Sequence, residues 1–300
     1  MNPKLLGYAR LARPANLPTA AADILAGVAI AGAISNSMQT EFLGSPLFFD
    51  ILCLVFSSVF LYAGGVILND VFDYKIDLIE RPERPIPNGT ISLKSATVYG
   101  GVALIIGILL SFLVSILSFI IATALALAIL LYDAIAKKHD FFGPLSMGLC
   151  RGLNIILGMS VLGSLTYLWL AIIPVVYIFA ITLISRGEVH GKNKNHIVLA
   201  GVLYASVIVA VLAIAYFYTD SVLTTLLYLT VFGYLVFRPL FKAYSENSPE
   251  NIKKAVMAGV LSLIVLDAAM GATFSVWWYG LLILALLPIS IGLSKLFAVT

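Results

Sequence analysis

Asn69, Asp70, Asp73 and Asp77 stand at the end of an apolar run, with the three acids at i, i+3 and i+7. If the helix carrying that run continues past its apolar segment, Asn69 and Asp73 are one turn apart and the carboxylates line one face. Acids crowded on one face repel each other unless cations join them, and hard oxygen ligands suit Mg²⁺. Mg²⁺ keeps several waters and favours sites shared with substrate phosphates, so a diphosphate is the expected partner. Just downstream come Arg81 and the string Arg84-Pro85-Ile86-Pro87-Asn88-Gly89. The two arginines can make forked contacts to phosphate oxygens, and the prolines and Gly89 stiffen the turn into the next helix. The competing reading is a solvated loop whose basic residues only fix topology. Three acids and an asparagine in register at a span end favour a site.

The elements that position these residues follow from composition. Apolar residues make up 61% of the 300 and charged residues only 11%, and the mean hydropathy is +1.04. A soluble domain carries about 25% charged residues. Ten apolar segments of 17 to 22 residues can be read, at 17–34, 51–69, 94–113, 115–136, 145–163, 167–185, 196–217, 222–238, 254–273 and 277–296. Each has the length that a hydrocarbon core of about 30 Å demands of a helix. The expected fold is therefore all-α: a polytopic bundle of nine to ten transmembrane helices in the lipid bilayer, as one domain over residues 1–300.

The 18 Lys and Arg residues fall at the N-terminus, in 70–93, 137–144, 186–195 and 239–254, at the span ends and at Lys295, whereas the alternate loops carry only acids such as Glu41, Asp50 and Asp220. This positive-inside pattern predicts cytoplasmic termini and an inner (plasma) membrane location. No cleavable leader is expected, and the net charge of +3 carries no nucleic-acid signature.

Ionisable groups inside spans normally face a cavity. Arg151 either snorkels or lines a pocket, Asp267 pairs with Arg151 or Asn154 or lines that pocket, and Asp23 is expected to pair with a lysine of the inner loops. His139 and His196 read as interfacial, Cys53 and Cys150 as packing residues, and Trp277-Trp278-Tyr279 as an outer aromatic belt.

Asn69-Asp70-x-x-Asp73-x-x-x-Asp77, followed by Arg84-Pro85 and Gly89, resembles the first aspartate-rich motif of the UbiA superfamily of intramembrane prenyltransferases. Arg13-Pro14-x-Asn16 resembles its N-terminal arginine segment, Tyr132 with Lys137 its tyrosine–lysine element, and Arg151-x-x-Asn154 a further family motif. The likeness covers residues 10–272, with 277–296 as an additional span. It implies a prenyl diphosphate bound head-first at the cytoplasmic face with Mg²⁺ as cofactor. The isoprenoid chain runs between helices toward lipid, and the acceptor is unidentified, aromatic or lipid. By position, Asn69 and Asp73 contact metal and diphosphate, and Asp70 and Asp77 support them as metal ligands. Arg13, Arg81, Arg84 and Lys137 bind the diphosphate, and Tyr132 offers its ring face to an allylic cation.

The second aspartate-rich motif of that family is altered. The chain reads Ser185-Arg186-Gly187-Glu188-Val189-His190-Gly191-Lys192-Asn193-Lys194, with no aspartate. Glu188 and His190 offer metal ligands there, with Glu188 the one assigned, and Arg186 and Lys192 are expected to bind the diphosphate. Either a second metal is lost and basic groups take its place, or binding is kept without transfer. This string, the tenth span and the terminal Leu-Phe-Ala-Val-Thr resemble a divergent branch, the UbiA-like protein encoded in bacterial Ebo clusters, which implies a role in secondary metabolism.

Two functional expectations follow. One is Mg²⁺-dependent transfer of a prenyl group from an isoprenoid diphosphate. The alternative is a non-catalytic membrane protein that binds or translocates a prenylated or phosphorylated precursor. The glycine-containing aspartate signature of CDP-alcohol phosphotransferases is absent, and soluble terpene synthases lack such spans.

Overall fold

A computed structural model describes residues 3–34, 44–188 and 191–297. Glu41 and His190 lie outside the described residues. The described chain is helical: α1 (Pro3–Leu11), α2 (Leu17–Ile30), α3 (Pro46–Phe72), α4 (Tyr74–Glu80), α5 (Leu93–Phe112), α6 (Ile116–Ala134), α7 (Phe142–Met159), α8 (Ile172–Ser185), α9 (Lys194–Tyr218), α10 (Val222–Ser245), α11 (Pro249–Phe274), α12 (Trp277–Leu284) and α13 (Leu286–Leu296). Several begin where the sequence supplies an N-cap. Ser45, Ser92, Ser115 and Ser248 each accept a hydrogen bond from the amide three residues on, and Pro46 and Pro249 occupy the first helical turn.

Among the described residues nine segments are long and apolar enough to cross a membrane, the last formed by α12 and α13 together. The first expected span differs. α2 has 14 residues, not the 18 of 17–34, and stops at Ile30. Gly32 adopts φ 77°, a left-handed conformation that ends helices. α2 packs against α3, α7 and α11, and nearly all its side chains are buried. With α11, whose residues Leu263–Thr273 are all buried, it forms the centre of the bundle. Outward-facing Ile105, Ile120, Leu127, Val202 and Leu227 are exposed, the surface that lipid contacts.

Contacts tie the connections at one end of the bundle into a series. Arg13 pairs with Asp70, Lys137 with Asp73, and Arg186 with Asp140. Asn247 donates to Asn193. The basic segments read from the sequence therefore share one end.

α2 and α7 approach each other without intervening side chains. A Cβ on Gly27 would lie 2.3 Å from the Ile155 carbonyl oxygen, and one on Gly158 would lie 2.4 Å from that of Ile24. Small residues facing each other permit this close contact. Gly27→Ala must push the two backbones apart and is expected to cost about 1–3 kcal/mol. Unfolding in graded sodium dodecyl sulfate should show that loss. Gly101→Ala, which meets nothing within 4 Å, should show none.

Candidate active site

The first carboxylate motif straddles a break. α3 ends at Phe72, Asp73 takes φ −86° and ψ 1°, and α4 resumes at Tyr74. At about 100° per residue an unbroken helix would keep Asp73 within about 60° of both Asp70 and Asp77. With the break in place the three acids do not share one partner. Arg84 Nη1 bridges Asp70 Oδ1 at 3.0 Å and Asp77 Oδ2 at 2.7 Å, and Arg13 Nη2 reaches Asp70 Oδ1 at 2.6 Å. Asp73 instead faces the 3₁₀ turn Ala136–Lys138 that follows α6, with its Oδ1 2.6 Å from Lys137 Nζ. The two outer acids hold arginines in place, and the middle one holds a lysine. Arg13 adopts φ 46° between α1 and the 3₁₀ turn Pro14–Asn16, a conformation unusual for a residue with a side chain.

Helix α6 supplies the residue that the sequence reading passed over. Asn69 Nδ2 donates to Asp133 Oδ1 at 2.7 Å, and Lys137 Nζ lies 4.0 Å from the same oxygen. Asp133 is 2% exposed, and its Oδ2 has no hydrogen-bond partner. Its signal was present in the sequence, because a carboxylate within a span is a site candidate by default. The neighbouring Tyr132 took the attention.

Of these groups Arg13, Asn69 and Asp133 line a cavity of about 240 Å³ between α3, α6 and α7, and the Asp73–Lys137 pair lies beside Asp133. Ser58, Tyr62, Gly65, Val66 and Asn69 present one face of α3 to it, Leu125, Ile129, Tyr132 and Asp133 one face of α6, and Met147, Cys150, Arg151 and Asn154 one face of α7. The spacing is that of helical faces. Arg13, Asn69, Tyr132, Asp133, Arg151 and Asn154 are among its polar lining residues, and Val66, Leu125, Ile129 and Met147 among its apolar ones. Cys150, expected to be a packing residue, is part of the wall.

A second polar group forms part of the cavity wall through Ser58, Tyr62, Arg151 and Asn154 and reaches Thr19 and Asp23 of α2. Arg151 Nη1 pairs with Asp23 Oδ2 at 2.6 Å, its Nη2 donates to Thr19 Oγ1 at 2.7 Å, and its guanidinium lies 5.1 Å from the centre of the Tyr62 ring. Asn154 Nδ2 also donates to Asp23 Oδ2 at 2.7 Å, and Ser58 donates to Asn154 Oδ1 at 2.7 Å. Asp23 therefore pairs with Arg151 and not with a loop lysine, because the glycine contact between α2 and α7 brings those two together deep in the bundle. Arg151 does not snorkel. Asp267 is buried beside Asp23 and Arg151 and does not line the cavity.

The altered 185–194 segment contributes little to this mouth. Arg186 donates to Asp140 and, at 2.8 Å, to the His139 carbonyl. Glu188 is half-buried among the charges of Lys253 and Arg81, and burial raises its carboxyl above the ordinary value against their opposing pull. Arg81 is exposed at the end of α4, and Lys192 is exposed with φ 59°. Asn193 anchors the segment by donating to the Ile184 carbonyl at 2.9 Å. Asn69, Tyr132, Arg13, Asp73 and Lys137 are thus brought together. Asp70, Asp77 and Arg84 form a bracket beside them, and Arg81, Arg186, Glu188 and Lys192 stand apart. Among the described residues no three His, Cys, Asp or Glu side chains converge as a metal site.

Trp277 is exposed, as a belt residue would be, whereas Tyr279 is buried and donates to the Leu25 carbonyl at 3.0 Å. His139 and His196 are both exposed.

Comparison with known proteins gives these features a context. The model of the UbiA prenyltransferase family matches residues 24–256. The digeranylgeranylglyceryl phosphate synthase of Methanococcoides burtonii is 41% identical over 157 residues, which is 52% of this chain and 55% of that protein. The synthase of the same name from Saccharolobus solfataricus is 36% identical over 140 residues, 45% of this chain and 50% of that protein. The chain spans about half the length of the curated relatives it matches. Among solved structures, that of a digeranylgeranylglyceryl phosphate synthase in membranes superposes with a TM-score of 0.64 at 22% identity, covering 90% of this chain and 98% of that one. A UbiA homologue from Archaeoglobus fulgidus bound to GPP and Mg²⁺ gives 0.58 at 12% identity, covering 93% and 99%.

Proposed function

The chain belongs to the UbiA prenyltransferase family, and from that premise we propose that it transfers a prenyl group from an isoprenoid diphosphate to an acceptor at the cytoplasmic face of the membrane. The observation that carries the proposal is that Arg13, Asn69 and Asp133 line a cavity with apolar stretches in its wall, with the Asp73–Lys137 pair beside Asp133. Lys137 and Arg13 are cations suited to phosphate oxygens. Val66 of α3, Leu125 and Ile129 of α6 and Met147 of α7 suit a hydrocarbon chain.

The donor chemistry of the site fits Mg²⁺. Asn69 and Asp73 supply carboxamide and carboxylate oxygens, the hard ligands that ion prefers, and among the described residues Asp73 pairs with a displaceable lysine. When bound, Mg²⁺ neutralises diphosphate charge and stabilises the leaving group. In the transfer itself the bond between the prenyl carbon and the bridging oxygen breaks, with its electron pair leaving on pyrophosphate. The prenyl carbon then bonds to the acceptor, which releases a proton. Tyr132, at the cavity wall, presents its ring to the developing allylic cation. Asp70 and Asp77 act through Arg13 and Arg84, which they orient.

The names of the relatives in two archaea favour a lipid acceptor with a phosphorylated head group. The 185–191 string instead resembles the branch from Ebo clusters and favours an acceptor in secondary metabolism. One reading without transfer has an observation in its favour: Arg186 and Glu188 of the altered second motif are engaged away from the mouth. Purified protein given prenyl diphosphates of several lengths, Mg²⁺ and a lipid extract is expected to release pyrophosphate and form a prenylated product. Tight diphosphate binding with no release in any acceptor mixture would favour the second reading.

A further inference from the structure

Lys137 Nζ occupies a position between two carboxylates from different helices, 2.6 Å from Asp73 Oδ1 and 4.0 Å from Asp133 Oδ1. We propose that Asp133 supplies the carboxylate missing from the 185–194 segment. Asp133, Asp73 and Asn69 then form one divalent-cation seat, and the ammonium of Lys137 fills it when no substrate is bound. The inference rests on the prenyl-diphosphate reading and assigns a metal ligand within it.

Three features support the seat. Asp133 is 98% shielded, its Oδ2 is unpartnered, and it lies at the cavity wall. A buried carboxylate oxygen without a partner is costly unless a ligand completes it. The carboxylates of the first motif differ in how they are held. Asp70 and Asp77 are fixed by guanidinium groups, while Asp73 and Asp133 share one ammonium on a flexible stem. Finally, no carboxylate from the altered loop competes, since Glu188 lies under the charges of Lys253 and Arg81.

An ammonium in the seat has a consequence for binding. A divalent cation entering alone must expel Lys137 with no anion to receive it. With a diphosphate present the displaced ammonium has phosphate oxygens to bind, so metal and diphosphate should bind together.

Mn²⁺ serves as the probe, followed by electron paramagnetic resonance on the detergent-solubilised full chain, with and without geranyl thiolodiphosphate. Wild type is expected to bind Mn²⁺ more tightly with the analogue. Asp133→Asn should weaken that binding by about 10–100-fold, and Glu188→Gln should leave it within about threefold. Lys137→Met, which empties the seat of its own cation, should bind Mn²⁺ without the analogue about tenfold more tightly than wild type.

Asp133→Asn binding as wild type does would overturn the assignment. So would a Lys137→Met protein that binds no more tightly, and that variant decides the matter if Asp133→Asn does not fold. Absence of Mn²⁺ binding by wild type with the analogue would instead remove the prenyl-diphosphate reading, and the seat with it.

Discussion

Asp73→Ala is expected to reduce pyrophosphate release by about 10²–10³-fold, the scale at which removal of one preorganised charge-stabilising group acts. Asp73 is the acid of the first motif that pairs toward Asp133, through Lys137, its ion-pair partner among the described residues. Its removal takes away a proposed metal oxygen and leaves Lys137 with Asp133 alone, so both the metal and the diphosphate lose a contact. The effect should appear mainly in kcat, measured as pyrophosphate release under saturating prenyl diphosphate.

Asp70→Asn provides the contrast. Asp70 touches Arg13 and Arg84 rather than the mouth, so its loss should raise KM as Arg13 is freed, with a smaller change in kcat. Equal losses for the two substitutions would mean that the first motif acts as one cluster. The division into a bracket and a working acid would then be wrong.

Arg151→Met is expected to be the most destabilising single change in the bundle. The Arg151–Asp23 pair is almost wholly shielded, with side-chain exposures of 9% and 0%. Removing one member of such a pair costs about 3–5 kcal/mol, because the other charge stays buried without compensation. Asn154 would remain as a donor to Asp23 Oδ2, with the Asp267 carboxyl beside it and no cation to balance the charge. The variant should therefore unfold at lower detergent stress. The double variant Arg151→Met with Asp23→Asn should recover more than half of the loss, since both charges are then gone. No recovery would mean that Arg151 stabilises through its packing against Tyr62 and not through the ion pair.

The membrane class, the spans from α3 onward and the identity of the acidic end were legible in the sequence because each is a local demand. A hydrocarbon layer tests every segment separately for length and apolarity, and the spacing of Asn69 to Asp77 is written within three turns of chain. α2 was read too long because its stop depends on a single left-handed glycine at position 32, inside a run that stays apolar beyond it.

What the tertiary structure decided is the pairing. Asp73 chose Lys137, 64 residues away, while Asp70 and Asp77 chose Arg84, and only the break at Asp73 separates those outcomes. Asp23 chose Arg151 because Gly27 and Gly158 let α2 and α7 touch. Asp133 looked like one more residue beside Tyr132 until α6 was placed against Asn69. Burial in a low-dielectric interior makes an ion pair depend on distances of a few ångströms between helices. Spacing along one helix carries no information about those distances.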